Sequence, residues 1–207
     1  KICGGIRESY ENVWENIKIP YLQAGIDGDP AQVDYPLDTE EKVRQYIDTS
    51  PKVYCNTGIY PLPPKLDFSK NLFRWEMRYT RQQLEQIIRR KTGEDLGELL
   101  DIRPVARGHS GRLIFIELVG TKKTLKVGKE LEIRRVLSDS HLYSSCFYVD
   151  KQLDSRGSVA TFVLKGAGWG HGVGLCQVGA TTMASQGFSY KEILNHYYKG
   201  TDLIKLY

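Results

Sequence analysis

Five glycines fall in the nine residues Gly166-Ala167-Gly168-Trp169-Gly170-His171-Gly172-Val173-Gly174. Glycine lets backbone approach a ligand closely and reach positive φ. A helix is predicted to follow, and the N–H groups at a helix start favour anions or sugar oxygens. No Gly-Lys-Ser/Thr ending follows, so this is not a nucleotide phosphate loop. No acidic residue is placed for a ribose and no regular βαβ pattern surrounds it, which excludes a dinucleotide site. His171 has glycine on both sides. It reads either as a structural residue that bonds a carbonyl to hold the loop, or as a group for ligand binding or proton transfer. Gly168, Trp169, Gly170, Gly172 and Gln177 are the neighbouring candidates for contact with a ligand.

Other side chains offer less. Cys176 lies five residues beyond His171. A thiol at a helix N-terminus can be acidified, with His171 or His196 as a base. Yet no orienting Asn or Asp and no oxyanion partner is visible, and a small buried thiol explains the position equally well. No CxxC pair occurs among Cys3, Cys55, Cys146 and Cys176. No second acid or cysteine pair completes a four-ligand shell, so no metal site is expected in this chain. His109-Ser110-Gly111-Arg112 reads as a hairpin turn in which Ser110 and Arg112 could meet a carboxylate or lactyl group. His141 and His196 carry no specific signal. For glycan chemistry a carboxylic acid is needed, and Glu8, Glu11 and Glu76 are the candidates by context. Glu76 follows Trp75, against which a carboxyl would be raised in pKa, but it also stands between Arg74 and Arg78 as a solvated strand residue would.

These residues need elements to position them. The 207 residues suit one domain or two small ones, with 41% hydrophobic and 26% charged residues, an ordinary globular mix. The net charge of +4 is too mild to imply nucleic acid. No apolar run approaches a membrane span. No signal peptide is visible, and the opening Lys1-Ile2-Cys3 reads as a processed or excised segment. Residues 1–70 are loop-rich and aromatic. They carry one helix opened by Thr39, with Val43, Tyr46 and Ile47 on one face and Pro51 beyond its end. Residues 71–165 are β-rich, with strands near 73–79, 102–107, 113–119, 124–127, 147–149 and 159–164. Between them lie a helix capped by Thr80 and Gln83 and a short helix in 127–137 using Leu131, Val136 and Leu137. Residues 166–207 hold the glycine stretch, a helix over about 173–185, another from Ser189 to Gly200, and a final edge strand over 203–206. Short links between strands favour antiparallel pairing. The class is α+β: antiparallel sheet, packed helices and a long loop-rich start.

The stretch Gly168-Trp169-Gly170-His171-Gly172-Val173-Gly174-Leu175-Cys176-Gln177-Val178-Gly179-Ala180 closely resembles the C-terminal signature of the SpoIID/LytB family, the stage II sporulation protein D and amidase-enhancer family. Met183-Ala184, Gly187 and Ile193-Leu194-Asn195-His196-Tyr197-Tyr198-Lys199-Gly200-Thr201 extend the match. At the other end, Cys3-Gly4-Gly5, Glu11-Asn12-Val13-Trp14 and Pro20-Tyr21-Leu22 are similar to the family's Gly-Gly, Glu-x-x-Trp and Pro-Tyr-Leu segments.

The resemblance implies peptidoglycan chemistry in the bacterial cell envelope, outside the cytoplasm. Enzymatic members are lytic transglycosylases in which a Glu protonates the glycosidic oxygen and the muramic-acid C6 hydroxyl closes on C1. Others are seen as enhancers of cell-wall amidases, which makes an amidase a further expected partner. The family's Ser-Glu-Met-type motif and its zinc ligands would precede Lys1. The catalytic Glu and any zinc are therefore expected from upstream residues, and no cofactor is expected in this chain. Cys176 replaces the more usual small polar residue of the motif, which leaves Gln177 as the better polar contact. The expectation is one wall of a glycan cleft built from His171, Gln177 and the glycine backbone. The alternative is a noncatalytic peptidoglycan-binding or amidase-enhancing module.

Overall fold

A computed structural model describes residues 1–205. Its class is α+β, with antiparallel sheets and packed helices. Strands β1 (Ile6–Arg7) and β2 (Gly25–Ile26) form a short ladder that flanks helix α1 (Tyr10–Val13). Helix α2 (Glu40–Asp48) starts where the Thr39 side chain accepts from the Lys42 N–H and buries Val43, Tyr46 and Ile47, as their spacing predicts. The loop-rich region also holds 3-10 stretches at Pro30–Gln32 and Pro64–Leu72, which have no apolar periodicity to reveal them.

Strand β3 (Arg74–Thr80) runs directly into helix α3 (Arg81–Thr92) through the predicted Thr80/Gln83 capping box, and α3 ends at Gly93. Strands β4 (Leu99–Arg107), β5 (Leu113–Gly120) and β6 (Thr124–Gly128) make an antiparallel meander. Helix α4 (Glu130–Val136) follows. Its inward face is Ile133, Val136 and Leu137, whereas Leu131, expected on that face, is 55% exposed. The reason is the i, i+3, i+4 spacing, which Ile133 satisfies and Leu131 does not. Strands β7 (Phe147–Leu153) and β8 (Val159–Ala167) complete a second sheet in the order β3-β8-β7.

Helix α5 (Gln177–Ser185) begins four residues later than the apolar pattern suggests. Gly174 has φ +69° and Cys176 is extended, so the chain cannot turn helically before Gln177. Helix α6 (Tyr190–Tyr197) opens on the predicted Ser189/Glu192 capping box. Residues 203–205 form no strand, and Leu206, the end of the expected edge strand, lies outside the described residues.

Two cores result. One joins α3, α4 and both larger sheets through Leu84, Ile88, Ile116, Ile133, Phe147 and Phe162. The other joins the two ends of the chain: Ile2, Cys3, Ile6, Tyr46 and Val53 pack with Cys176, Val178, Met183 and Tyr197.

Candidate functional site

The glycine stretch leaves β8 as an extended ribbon. Gly168, Gly170, Gly172 and Gly174 all have positive φ, at +79°, +104°, +82° and +69°. Such alternation is open only to glycine, which explains the spacing in the sequence. The ribbon is anchored at several points. Ile2 and Trp169 exchange backbone hydrogen bonds at 3.0 and 2.8 Å, the Gly168 N–H donates to the Phe73 carbonyl and the Gly170 N–H to that of Tyr143. The Glu8 N–H donates to the Gly172 carbonyl at 3.1 Å.

These bonds change the part expected of the glycine backbone. The amides of Gly168 and Gly170 are taken by protein carbonyls, and Gly168 and Gly172 are buried. The surface of the ribbon consists of side chains: Trp169, half-buried His171 and exposed Gln177. The Gln177 Oε1 accepts from the Lys1 amino group at 2.6 Å.

Ser110 and Arg112, expected at a ligand, are both 1% exposed. Arg112 lies inside the turn and donates to the carbonyls of Ile6, Cys3 and Gly170 and to the Ser110 Oγ. Ser110 donates from Oγ to Glu8 Oε2 at 2.6 Å and from its N–H to the same atom at 3.1 Å. The expected ligand contacts are thus the scaffold that fixes the ribbon, because a buried guanidinium must find carbonyl partners inside the protein.

Glu8 is also buried, with Oε1 accepting from the Ser9 N–H and the Asn12 amide. Its oxygens are taken on both sides by the protein. Glu76 points away from Trp75 on β3, is exposed, and pairs with Arg78 at 2.7 Å. The solvated reading of this residue therefore holds. Glu11 is half-buried and accepts from Gln23 at 3.3 Å.

Trp14 is the residue that composition alone did not place. It follows α1 and is 41% exposed. Its indole lies 4.7 Å, centroid to centroid, from the His171 ring and 5.0 Å from that of Tyr10. Lys129 Nζ donates to the carbonyls of Glu11 and Trp14 and so holds the end of α1 in place. Trp169, 38% exposed, meets Phe68 edge-on at 6.4 Å.

Burial, with the charges of Lys1, Arg112 and Arg134 adding to it, pushes His171 down to about 4. The ring is neutral at pH 7. Its Nδ1 accepts from the Val173 N–H at 3.2 Å, which leaves the proton on Nε2. What the site presents is a neutral N–H donor against an aromatic plane. That combination suits hydroxyl and ether oxygens with an apolar ring face beside them.

A second arrangement forms at the N-cap of α5. Cys3, Asp27, Cys55 and Cys176 are all buried, and one ligand atom from each lies within 4.8 Å of the others. Burial pushes the Cys3 and Cys55 thiols up. Burial acts the same way on Cys176, but hydrogen bonds from the Cys3 and Cys55 thiols and from the Cys3 and Gly179 N–H groups hold it well below the ordinary thiol range. The sequence offers no local spacing for this group, since its members come from four separate segments. The partners that Cys176 lacks in sequence are supplied by tertiary structure.

Residues 8–174 match the family model described as "Domain of unknown function (DUF8618)", and the chain belongs to that family. The chain is 40% identical over 76 residues, 37% of its length, to a stage II sporulation protein D of Bacillus amyloliquefaciens. It is 35% identical over 69 residues, 33% of its length, to an amidase enhancer of Bacillus subtilis. A third stretch of 42 residues, 20% of the chain, is 52% identical to an uncharacterized protein of Brachyspira hyodysenteriae. These matches cover 20%, 9% and 11% of the three relatives, so the chain matches no more than about a fifth of any of them.

Proposed function

We propose that this DUF8618 member is a domain of a bacterial cell-wall protein that binds the glycan strands of peptidoglycan. The observation that carries this reading is the partly exposed pair of Trp14, at the end of α1, and His171, on a ribbon anchored by backbone bonds at Gly168, Trp169, Gly170 and Gly172. A pyranose has an apolar face and equatorial hydroxyls, which an indole plane beside an imidazole N–H complements. The similarity to a stage II sporulation protein D and to an amidase enhancer supports a cell-wall setting, outside the cytoplasm, with a cell-wall amidase as a further partner.

In the lytic transglycosylase form of this reading, the acid that protonates the glycosidic oxygen comes from a Glu outside this chain. In support, both Glu8 oxygens accept protein donors, Glu11 accepts from the Gln23 amide, and Glu76 is paired at the surface. The chain's own part is then to hold the strand, with Trp14 under a sugar ring and His171 Nε2–H donating to one of its oxygens. In the enhancer form, the same face holds the strand for an amidase.

Co-sedimentation with purified sacculi tests the binding. Retention that disappears in Trp14→Ala supports it, and equal retention of both proteins overturns it. Anhydro-ended muropeptides released from denuded strands separate the two forms: the transglycosylase makes them, and the enhancer leaves the glycan uncut while raising amidase turnover.

A further inference from the structure

We infer that Cys3, Asp27, Cys55 and Cys176 bind one zinc ion in a closed, structural four-ligand site. The Cys3 Sγ lies 3.6 Å from Cys55 Sγ and 3.2 Å from Asp27 Oδ2. A tetrahedral zinc with Zn–S of about 2.3 Å and Zn–O of about 2.1 Å separates its ligand atoms by roughly 3.5–3.8 Å. The four ligand atoms all lie within 4.8 Å of one another, a small adjustment from that spacing, and all four residues are no more than 2% exposed. Three cysteines gathered around a buried carboxylate have no apolar explanation. A carboxylate this deep needs a cation, and a thiol next to it has every reason to be a ligand instead.

The surroundings are those of a supported metal site. The second Asp27 oxygen, Oδ1, accepts from the Tyr197 hydroxyl at 2.7 Å and lies 3.3 Å from His196 Nε2, which orients the carboxylate and leaves Oδ2 for the metal. The Cys3 N–H donates to Cys176 Sγ at 3.2 Å, and Cys176 is the N-cap residue of α5, at the positive end of the helix dipole. Gly179 is required by the packing, since a Cβ there would lie 2.4 Å from both Asp27 Oδ2 and the Tyr197 hydroxyl. On binding, the three cysteines coordinate as thiolates, and the protons still held on their sulfurs pass to solvent. Four protein ligands leave no open position for a substrate, so the ion is a staple. It ties the Cys3 segment, the end of β2, the loop after α2 and the start of α5 to one point, next to the ribbon that carries His171.

The test is metal content. Protein purified without chelators carries one zinc per chain by elemental analysis. Cys55→Ser and Cys176→Ser lose it, Tyr197→Phe weakens affinity by about 10–100-fold, and Cys146→Ser, a buried cysteine outside the group, keeps it. Should the cysteine variants not fold, cobalt replacement in the unaltered protein gives the same answer through the sulfur-to-cobalt charge-transfer band and the intense visible bands of tetrahedral cobalt. Metal-free folded protein with four reactive thiols, or with a Cys3–Cys55 disulfide, and no such band on adding cobalt overturns the inference. Neither result depends on glycan binding.

Discussion

The Trp14 indole meets the His171 imidazole at a tilt of 53° with centroids 4.7 Å apart, although one residue follows the first helix and the other precedes the fifth. Each ring fixes the orientation of the other, and Lys129 and the Ile2–Trp169 bonds fix the backbones beneath them. A preset aromatic surface loses little conformational entropy on meeting a ligand, which is the condition for measurable affinity from a small contact.

Replacing Trp14 with Ala is therefore expected to weaken binding to sacculi by roughly tenfold, about 1.4 kcal/mol. Trp14→Phe keeps a ring and retains most of the binding. His171→Ala is expected to have an effect similar to Trp14→Ala, while thermal melts of both variants stay close to the parent. Sedimentation isotherms measure the first and calorimetry the second.

His171 also sets a pH dependence. Its pKa falls from 6.5 to about 4 on folding, chiefly through burial. Between these values the unfolded chain binds more protons than the folded one, so stability rises with pH. The contribution is lost as pH falls from about 6.5 towards 4 and is constant above that window. Urea midpoints taken from pH 7 to pH 4 should fall less steeply in His171→Gln, and equal slopes would reassign the dependence to another group.

Glu8 is expected to be a stability residue. Its carboxylate serves the Ser9 N–H, the Asn12 amide, and the Ser110 N–H and hydroxyl. Glu8→Ala strands these donors in the interior and is expected to cost about 2–4 kcal/mol. Glu76→Ala removes only a surface pair and is expected to stay within about 0.5 kcal/mol of the parent. Paired denaturation curves decide between them.

Glycines with positive φ inside and outside the ribbon differ in the same measurable way. Gly157 has φ +78° with nothing within 4 Å of an added Cβ, so Gly157→Ala carries the backbone penalty alone, about 1–2 kcal/mol. In Gly172, at φ +82°, a Cβ would lie 2.4 Å from Arg112 Cζ. Gly172→Ala therefore adds the displacement of a guanidinium that bonds three carbonyls, and it should melt several degrees below Gly157→Ala.

Much of this fold was legible because its signals are local. Thr80/Gln83 and Ser189/Glu192 cap their helices through their own neighbours, and Val43, Tyr46 and Ile47 mark a face by spacing alone. Alternating glycines likewise announced the ribbon. The roles of Ser110 and Arg112 were hidden because a polar residue in a turn looks the same whether it faces solvent or, as here, Glu8 and the carbonyls of Cys3 and Ile6. Cys3, Asp27, Cys55 and Cys176 were hidden for a stronger reason, since no periodicity relates them. Trp14 was marked only as the end of a Glu-x-x-Trp segment, with no partner, until α1 set it against His171.

The shared core of the chain's two ends bears on how the protein is made. During synthesis, Ile2, Cys3, Ile6 and Val53 leave the ribosome long before Cys176, Val178, Met183 and Tyr197, the residues that cover them. The helices and hairpins of the middle section can form as they emerge, whereas the Ile2–Ile6 segment must wait until α5 and α6 have been made. Until α6 appears, those earlier apolar residues lack part of their cover, and any agent that protects the nascent chain has its work at that segment.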